Sequence, residues 1–212
     1  MKNKNDFTKD FFQTAWGEEG YYECFSYGEG IDKVCEVGLN PFFDKNKNAL
    51  EIGPGGGVFT DRMIGQFKSL TVLDVIKMPT KFNGLSNFTY IELHNHSYDC
   101  KGVDDASIDF AFSYNVFCHL SNEALTEYFK GVFRVLKPGG DFVFMIANYE
   151  NSKKNFLDVA DNYKLGDLTP IGHFNQSLET VKIIANKKQW DYKEPTNLLP
   201  NHRDILIHIK KK

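Results

Sequence analysis

The residues with the clearest chemical reach are four glycines within five positions. Ala49-Leu50-Glu51-Ile52 is a short apolar run that ends in Gly53-Pro54-Gly55-Gly56-Gly57, and Val58, Phe59 and Thr60 open an apolar-periodic segment. That order reads as a strand, a tight turn and a helix start. Glycine accepts positive φ and lets a ligand touch the main chain, while the helix start behind it offers unpaired amides. Roughly 20 residues further on, Leu70-Thr71-Val72-Leu73 ends in Asp74. An acid at the tip of a second strand is placed to accept hydrogen bonds from ribose hydroxyls. The chemistry implied is recognition of a nucleoside. A flexible surface loop also carries glycines, and Asp74 is the residue that weighs against that reading.

Two other nucleotide loops fit poorly. The dinucleotide fingerprint G-x-G-x-x-G needs a third glycine where Val58 stands, and the P-loop needs a Gly-Lys-Ser/Thr ending that is absent. What stands here is Glu51-x-Gly53-x-Gly55-x-Gly57, which resembles motif I, E/D-x-G-x-G-x-G, of the class I S-adenosylmethionine-dependent methyltransferases. Two later stretches are similar to the same family. Ser107-Ile108-Asp109 to Ser113, followed by His119-Leu120, is similar to its fourth-strand segment, and Arg134-Val135-Leu136-Lys137-Pro138-Gly139-Gly140 looks like its R-x-L-K-P-G-G signature. The resemblance covers residues 49 to 147 and points to the small-molecule branch (methyltransferase type 11/12-like). No Asn-Pro-Pro-Tyr or Asp-Pro-Pro-Tyr follows the fourth strand, which argues against the enzymes that methylate amino groups of nucleic-acid bases or glutamine with it.

The resemblance implies S-adenosyl-L-methionine as cofactor and S-adenosyl-L-homocysteine as product. It gives Gly53, Pro54, Gly55 and Gly57 to the methionine part, Glu51 to support beneath the turn, and Asp74, with Val75 beside it, to the ribose. Ser97, Tyr98 or Asp99 would hold the adenine; Ser97 stands where the family often has an acid, so Asp99 is the alternative contact. Ser113, Tyr114 and Asn115 would line the methyl-donor side. Methyl transfer from a sulfonium is an in-line displacement that needs alignment and sometimes a base. His119 and His173 are the candidate bases, since a neutral imidazole takes a hydroxyl proton near pH 7. His119 serves equally as an orienting residue of the next helix, and His173 as a surface residue. The acceptor expected is a small molecule, through oxygen or nitrogen, with a nucleic acid or protein acceptor, or cofactor binding without catalysis, as alternatives.

Composition bounds these readings. The chain has 212 residues, 42% hydrophobic and 25% charged, ordinary for one globular domain with a sizeable core. A net charge of -3 argues against a broad nucleic-acid surface. Cys24, Cys35, Cys100 and Cys118 form no C-x-x-C pair and read as reduced thiols of a cytoplasmic protein. His94 and His96 form one H-x-H pair with no Cys/His cluster behind it, so no metal is expected. No apolar run approaches the roughly 18 residues of a membrane span. Lys210-Lys211-Lys212 reads as a solvated tail.

The elements that must position these residues form an α/β fold: a Rossmann-like, doubly wound, seven-stranded sheet, mostly parallel with an antiparallel C-terminal strand. Residues 1–48 form an N-terminal aromatic-rich helical arm or lid, and 49–212 the core. In the first, Phe7, Phe11, Phe12, Ala15 and Trp16 share helical spacing, and Trp16, Tyr21, Tyr22 and Tyr27 read either as docked aromatics or as a lid over the substrate; the resemblance favours the lid. A short helix over Ile31 to Leu39 precedes Pro41, and Asn46-Lys47-Asn48 turn into the first strand. Later strands are expected at 69–73, 88–93, 108–112 and 141–147, with two antiparallel strands at 190–199 and 204–209. The helix after Ser121 is the strongest, with Leu125, Tyr128, Phe129, Val132, Phe133 and Leu136 on one face, ended at Lys137-Pro138-Gly139-Gly140. The polar connection 148–176 is long enough to face the cleft and select substrate.

Overall fold

The computed structural model describes residues 28–93, 98–151, 176–185, 188–197 and 204–212. After α1 (Gly28–Val34), one π turn (Cys35–Leu39) and one 3-10 turn (Asn40–Phe42) carry the chain into β1 (Asp44–Ile52). There follow α2 (Val58–Met63), β2 (Phe67–Asp74), β3 (Phe88–Glu92) and β4 (Ile108–Ser113). Next come α3 (Asn122–Val135), β5 (Leu136–Ala147), α4 (Leu178–Ile184), β6 (Trp190–Tyr192), β7 (Thr196–Asn197) and β8 (Asp204–Lys211).

Seven strands follow one path, β3-β2-β1-β4-β5-β8-β6, and the two-residue β7 adds an eighth by pairing with β8. The pairs from β3 to β5 are parallel, and β8 runs antiparallel to β5, β6 and β7. The chain moves outward from β1 to β2 and β3 on one side, then returns to β4 and β5 on the other. That reversal opens a crevice at the carboxyl ends of β1 and β4, where ligands of such sheets bind.

Period-2 alternation sends successive side chains to opposite faces. Leu50, Ile52, Phe142, Phe144 and Ile146 join α3 and α4 in one core, around Leu125, Phe129, Val132 and Val181. Ala49, Phe110, Phe112, Val143 and Met145 meet α1 and α2 in the other, with Ile31, Val34, Leu39, Val58 and Met63. Both faces are covered, as a parallel sheet requires.

Several boundaries differ from the sequence expectation, among them the strand expected over 190–199, which is two short strands, β6 and β7. β1 begins at Asp44, because Asp44 pairs with Phe67 and an irregularity then absorbs residues 45–47 before regular pairing resumes at Asn48. α3 stops at Val135, before the Leu136 expected on its face: the chain is already extended at Leu136, which pairs with Ile108, and Lys137 to Gly140 form a bulge before Asp141 pairs with Phe110. Lys210 and Lys211 are not a solvated tail. They belong to β8, and the Lys211 ammonium donates to the carbonyls of Phe133 (2.6 Å) and Leu136 (2.7 Å) at the end of α3. Ser121 caps α3 by accepting from the Ala124 amide, and Ser177 caps α4 through Thr180. Cys35, Cys100 and Cys118 are buried thiols that form no disulfide among the described residues, while Cys24 lies outside them. Among the described residues no helix is long and apolar enough to cross a membrane.

Candidate functional site

The turn after β1 is built on left-handed backbone. Gly53 and Gly57 have φ of 69° and 87°. A Cβ at Gly53 would lie 2.1 Å from a Val116 methyl, and one at Gly57 would lie 2.5 Å from the Phe82 ring, so both positions demand glycine for space as well as for φ. The Gly53 amide donates to Leu73 O (2.8 Å) and the Gly57 amide to Pro54 O (2.8 Å), which joins the turn to the tip of β2 and closes it on itself.

Two buried carboxylates flank this turn. On the α2 face, Glu51 accepts from the Thr60 hydroxyl at 2.6 Å, tying the end of β1 to the helix behind the glycines. Burial pushes the Glu51 carboxyl up to about 8, the Thr60 hydrogen bond opposing and Asp74 and Asp61 adding to the rise. At the tip of β2, Asp74 accepts from the amides of Gly55 (2.9 Å), Val75 (2.7 Å) and Ile76 (3.2 Å). Its burial outweighs those three amides and raises it to about 6.

A cleft opens at these strand ends. Its walls bring together Gly53, Gly55, Asp74, Val75, Tyr98, Asn115 and His119 of the residues expected from the sequence. Asn115 takes φ of 56°, which asparagine tolerates, and its side-chain oxygen accepts from the Cys118 thiol (3.4 Å). His119 sits on the 3-10 turn Phe117–His119.

Other expected residues are elsewhere. The Ser113 hydroxyl does not line the cleft: it is buried and donates to Ile52 O (3.1 Å), locking β4 to β1. Tyr114 packs with Phe59 at 5.0 Å between ring centroids, on the α2 face. Pro54 is buried in the turn, and Asp99 is exposed and closes its own turn on the Lys101 amide (3.1 Å). Trp16, Tyr21, Tyr22, Tyr27, His94, His96, Ser97 and His173 lie outside the described residues, as does most of the 148–176 connection.

Sequence reasoning missed Leu73, Ile76, Val116, Leu120 and Tyr128, which also line the cleft. It missed Gln176 as well. This buried residue bridges Asn148, and its amide donates to Phe117 O (3.2 Å) and Leu120 O (3.3 Å), holding the turn that carries His119 against the end of β5.

Comparison with known proteins agrees with this geometry. Residues 50–144 match the family model described as a methyltransferase domain. Among solved structures, the chain resembles the 1,6-didemethyltoxoflavin-N1-methyltransferase of Burkholderia thailandensis with its didemethyltoxoflavin and S-adenosylhomocysteine bound: TM-score 0.71, 11% identity, 100% of this chain and 91% of that one. The N-methyltransferase NodS of Bradyrhizobium japonicum, with S-adenosylhomocysteine, gives TM-score 0.58 and 19% identity over 90% and 87%. DhpI in complex with S-adenosylhomocysteine gives 0.69 and 14% over 96% and 94%. At these identities the likeness speaks for the fold. No curated protein matches the sequence.

Proposed function

We propose that this chain, an S-adenosylmethionine-dependent methyltransferase whose residues 50–144 match the methyltransferase domain family model, delivers the methyl group to an oxygen or nitrogen of a small molecule. The observation that carries the reading is one cleft in which the glycine turn, Asp74 and His119 share the lining. The net charge of -3 favours such an acceptor over a polyanion. Likeness along the whole chain to an enzyme with 1,6-didemethyltoxoflavin bound points the same way.

The donor set fits S-adenosylmethionine. Backbone is bare at Gly53, where a side chain would invade the space beside Val116, and a carboxylate stands at the tip of β2. The sulfonium supplies an already activated methyl group. The protein would bind and orient it: Gly53, Pro54, Gly55 and Gly57 shape the turn that would take the methionine part, and Asp74, with Val75 beside it, would accept from the ribose. Tyr98 would flank the adenine and Asn115 would face the methionine end, while Glu51 supports the turn through Thr60. His119, as a neutral imidazole, takes the proton that the acceptor hydroxyl or amine gives up. Most of the remaining rate enhancement is alignment.

The test is an S-adenosylhomocysteine-release assay over hydroxyl- and amine-bearing small molecules, with tRNA and peptide arms alongside. Turnover of a small molecule that slows in His119→Ala supports the reading. Turnover with RNA or peptide alone overturns it.

A further inference from the structure

One face of α3 is built to hold the segment that follows β3. Tyr128, Gly131 and Arg134 succeed one another at three-residue intervals along that helix. Gly131 leaves no room for a side chain, since a Cβ there would lie 2.5 Å from the Asp99 carbonyl carbon and oxygen. One turn on, the Arg134 guanidinium donates to the carbonyls of Asp99 (3.2 Å), Cys100 (3.1 Å) and Val103 (3.0 Å), and pairs with the Asp105 carboxylate. Residues 99–105 are thereby clamped onto α3.

The clamp fixes what precedes it. Tyr98 is set against Tyr128 with ring centroids 5.2 Å apart and planes at 48°, and Phe117 also packs on the Tyr128 ring at 5.5 Å. Tyr128 is only 3% exposed, yet it lines the cleft together with Asp74, Val75 and Ile76. Burial pushes this phenol well above its ordinary value, and the nearby Cys100, Asp74, Tyr98 and Asp99 push the same way, so it stays a neutral O–H donor. A rigid aromatic wall carrying phenol donors, beside a carboxylate suited to ribose, matches a purine: flat, with ring nitrogens that accept.

We infer that Tyr128 contacts the cofactor, its hydroxyl donating a hydrogen bond to a ring nitrogen of the adenine while its ring and that of Tyr98 wall the base. The inference rests on the cofactor reading above and adds a residue from α3 to a site otherwise built from strand ends. The experiment is calorimetric titration of the whole chain and of Tyr128→Phe with S-adenosylhomocysteine and, separately, with adenosine. Loss of one neutral hydrogen bond weakens both ligands about three- to tenfold in the variant. Its ligand-free melting temperature stays at or above that of the parent, because the phenylalanine ring keeps the packing. Equal affinity in parent and variant overturns the inference and leaves the cofactor reading standing. So does a loss seen with S-adenosylhomocysteine and not with adenosine, which would move the contact to the amino-acid end. Failure of the parent to bind S-adenosylhomocysteine overturns both readings together.

Discussion

The Asp74 carboxylate and the Gly55 main-chain amide meet at 2.9 Å, so the tip of β2 holds the glycine turn of β1 in its open shape. Asp74 thus organises the turn as well as facing the cleft, and its removal acts twice. Asp74→Ala should weaken S-adenosylhomocysteine about ten- to a hundredfold, the range for hydrogen bonds to a charged group. Asp74→Asn should lose nearly as much, because its NH2 group must face a main-chain donor at one of the two oxygen positions. Calorimetry checks this, and an alanine variant that binds like the parent would refute the assignment.

Glu51 and Asp74 make stability depend on pH in an unusual direction. Their folded values, about 8 and about 6, lie above the ordinary 4.5 and 3.8. Between pH 4 and 8 the native chain therefore binds more protons than the unfolded chain, and stability falls as pH rises through that window. The Glu51 part should amount to a few kcal/mol by pH 9. Glu51→Gln keeps an acceptor for Thr60 and carries no charge, so its urea midpoint should change much less between pH 6 and 9 and should exceed that of the parent at pH 9. Parallel curves for the two proteins would refute the account.

The same two carboxylates were legible at different depths. Asp74 could be read because an acid closing a strand about 20 residues past a glycine turn has a meaning fixed by spacing alone. The fold was legible for a similar reason, since strands, caps and the K-P-G-G stop are local signals. Tyr128 was not, because in the pattern of α3 it fills a core position and nothing in one dimension shows that it also lines the cleft. Ser113 misled in the opposite way: a polar residue at a strand end looks ligand-facing, but period-2 alternation and the carbonyl of Ile52 took it. Lys211 looked like one member of a charge run, whereas it continues the Ile205, Ile207, Ile209 face of β8 toward α3.

Gly53 couples to Val116 through space. With φ at 69° and a methyl 2.1 Å from the place of a Cβ, Gly53→Ala suffers backbone strain and overpacking together, about 2–4 kcal/mol in all. Val116→Ala in the same chain should return the steric part and leave the strain. Chemical denaturation of the four proteins of this cycle would show it as a favourable coupling, and simple additivity of the two substitutions would exclude the contact as the cause.

The last lysines separate a buried role from an exposed one. Lys211 donates to two carbonyls at the C-terminal end of α3, which lack helical partners, and its ammonium stands 4.3 Å from the Phe133 ring centre. A cation there also favours the negative end of the helix. Lys212, one residue on, makes a 3.4 Å ion pair with Asp191 between two side chains that are half exposed. Lys211→Met should therefore cost about 1–2 kcal/mol, while Lys212→Met should stay within about 0.5 kcal/mol of the parent. Urea unfolding at low and high salt distinguishes them, since screening erodes the exposed pair and leaves most of the Lys211 loss in place. Equal costs would mean that the end of α3 is satisfied without Lys211, and that β8 ends in a tail after all.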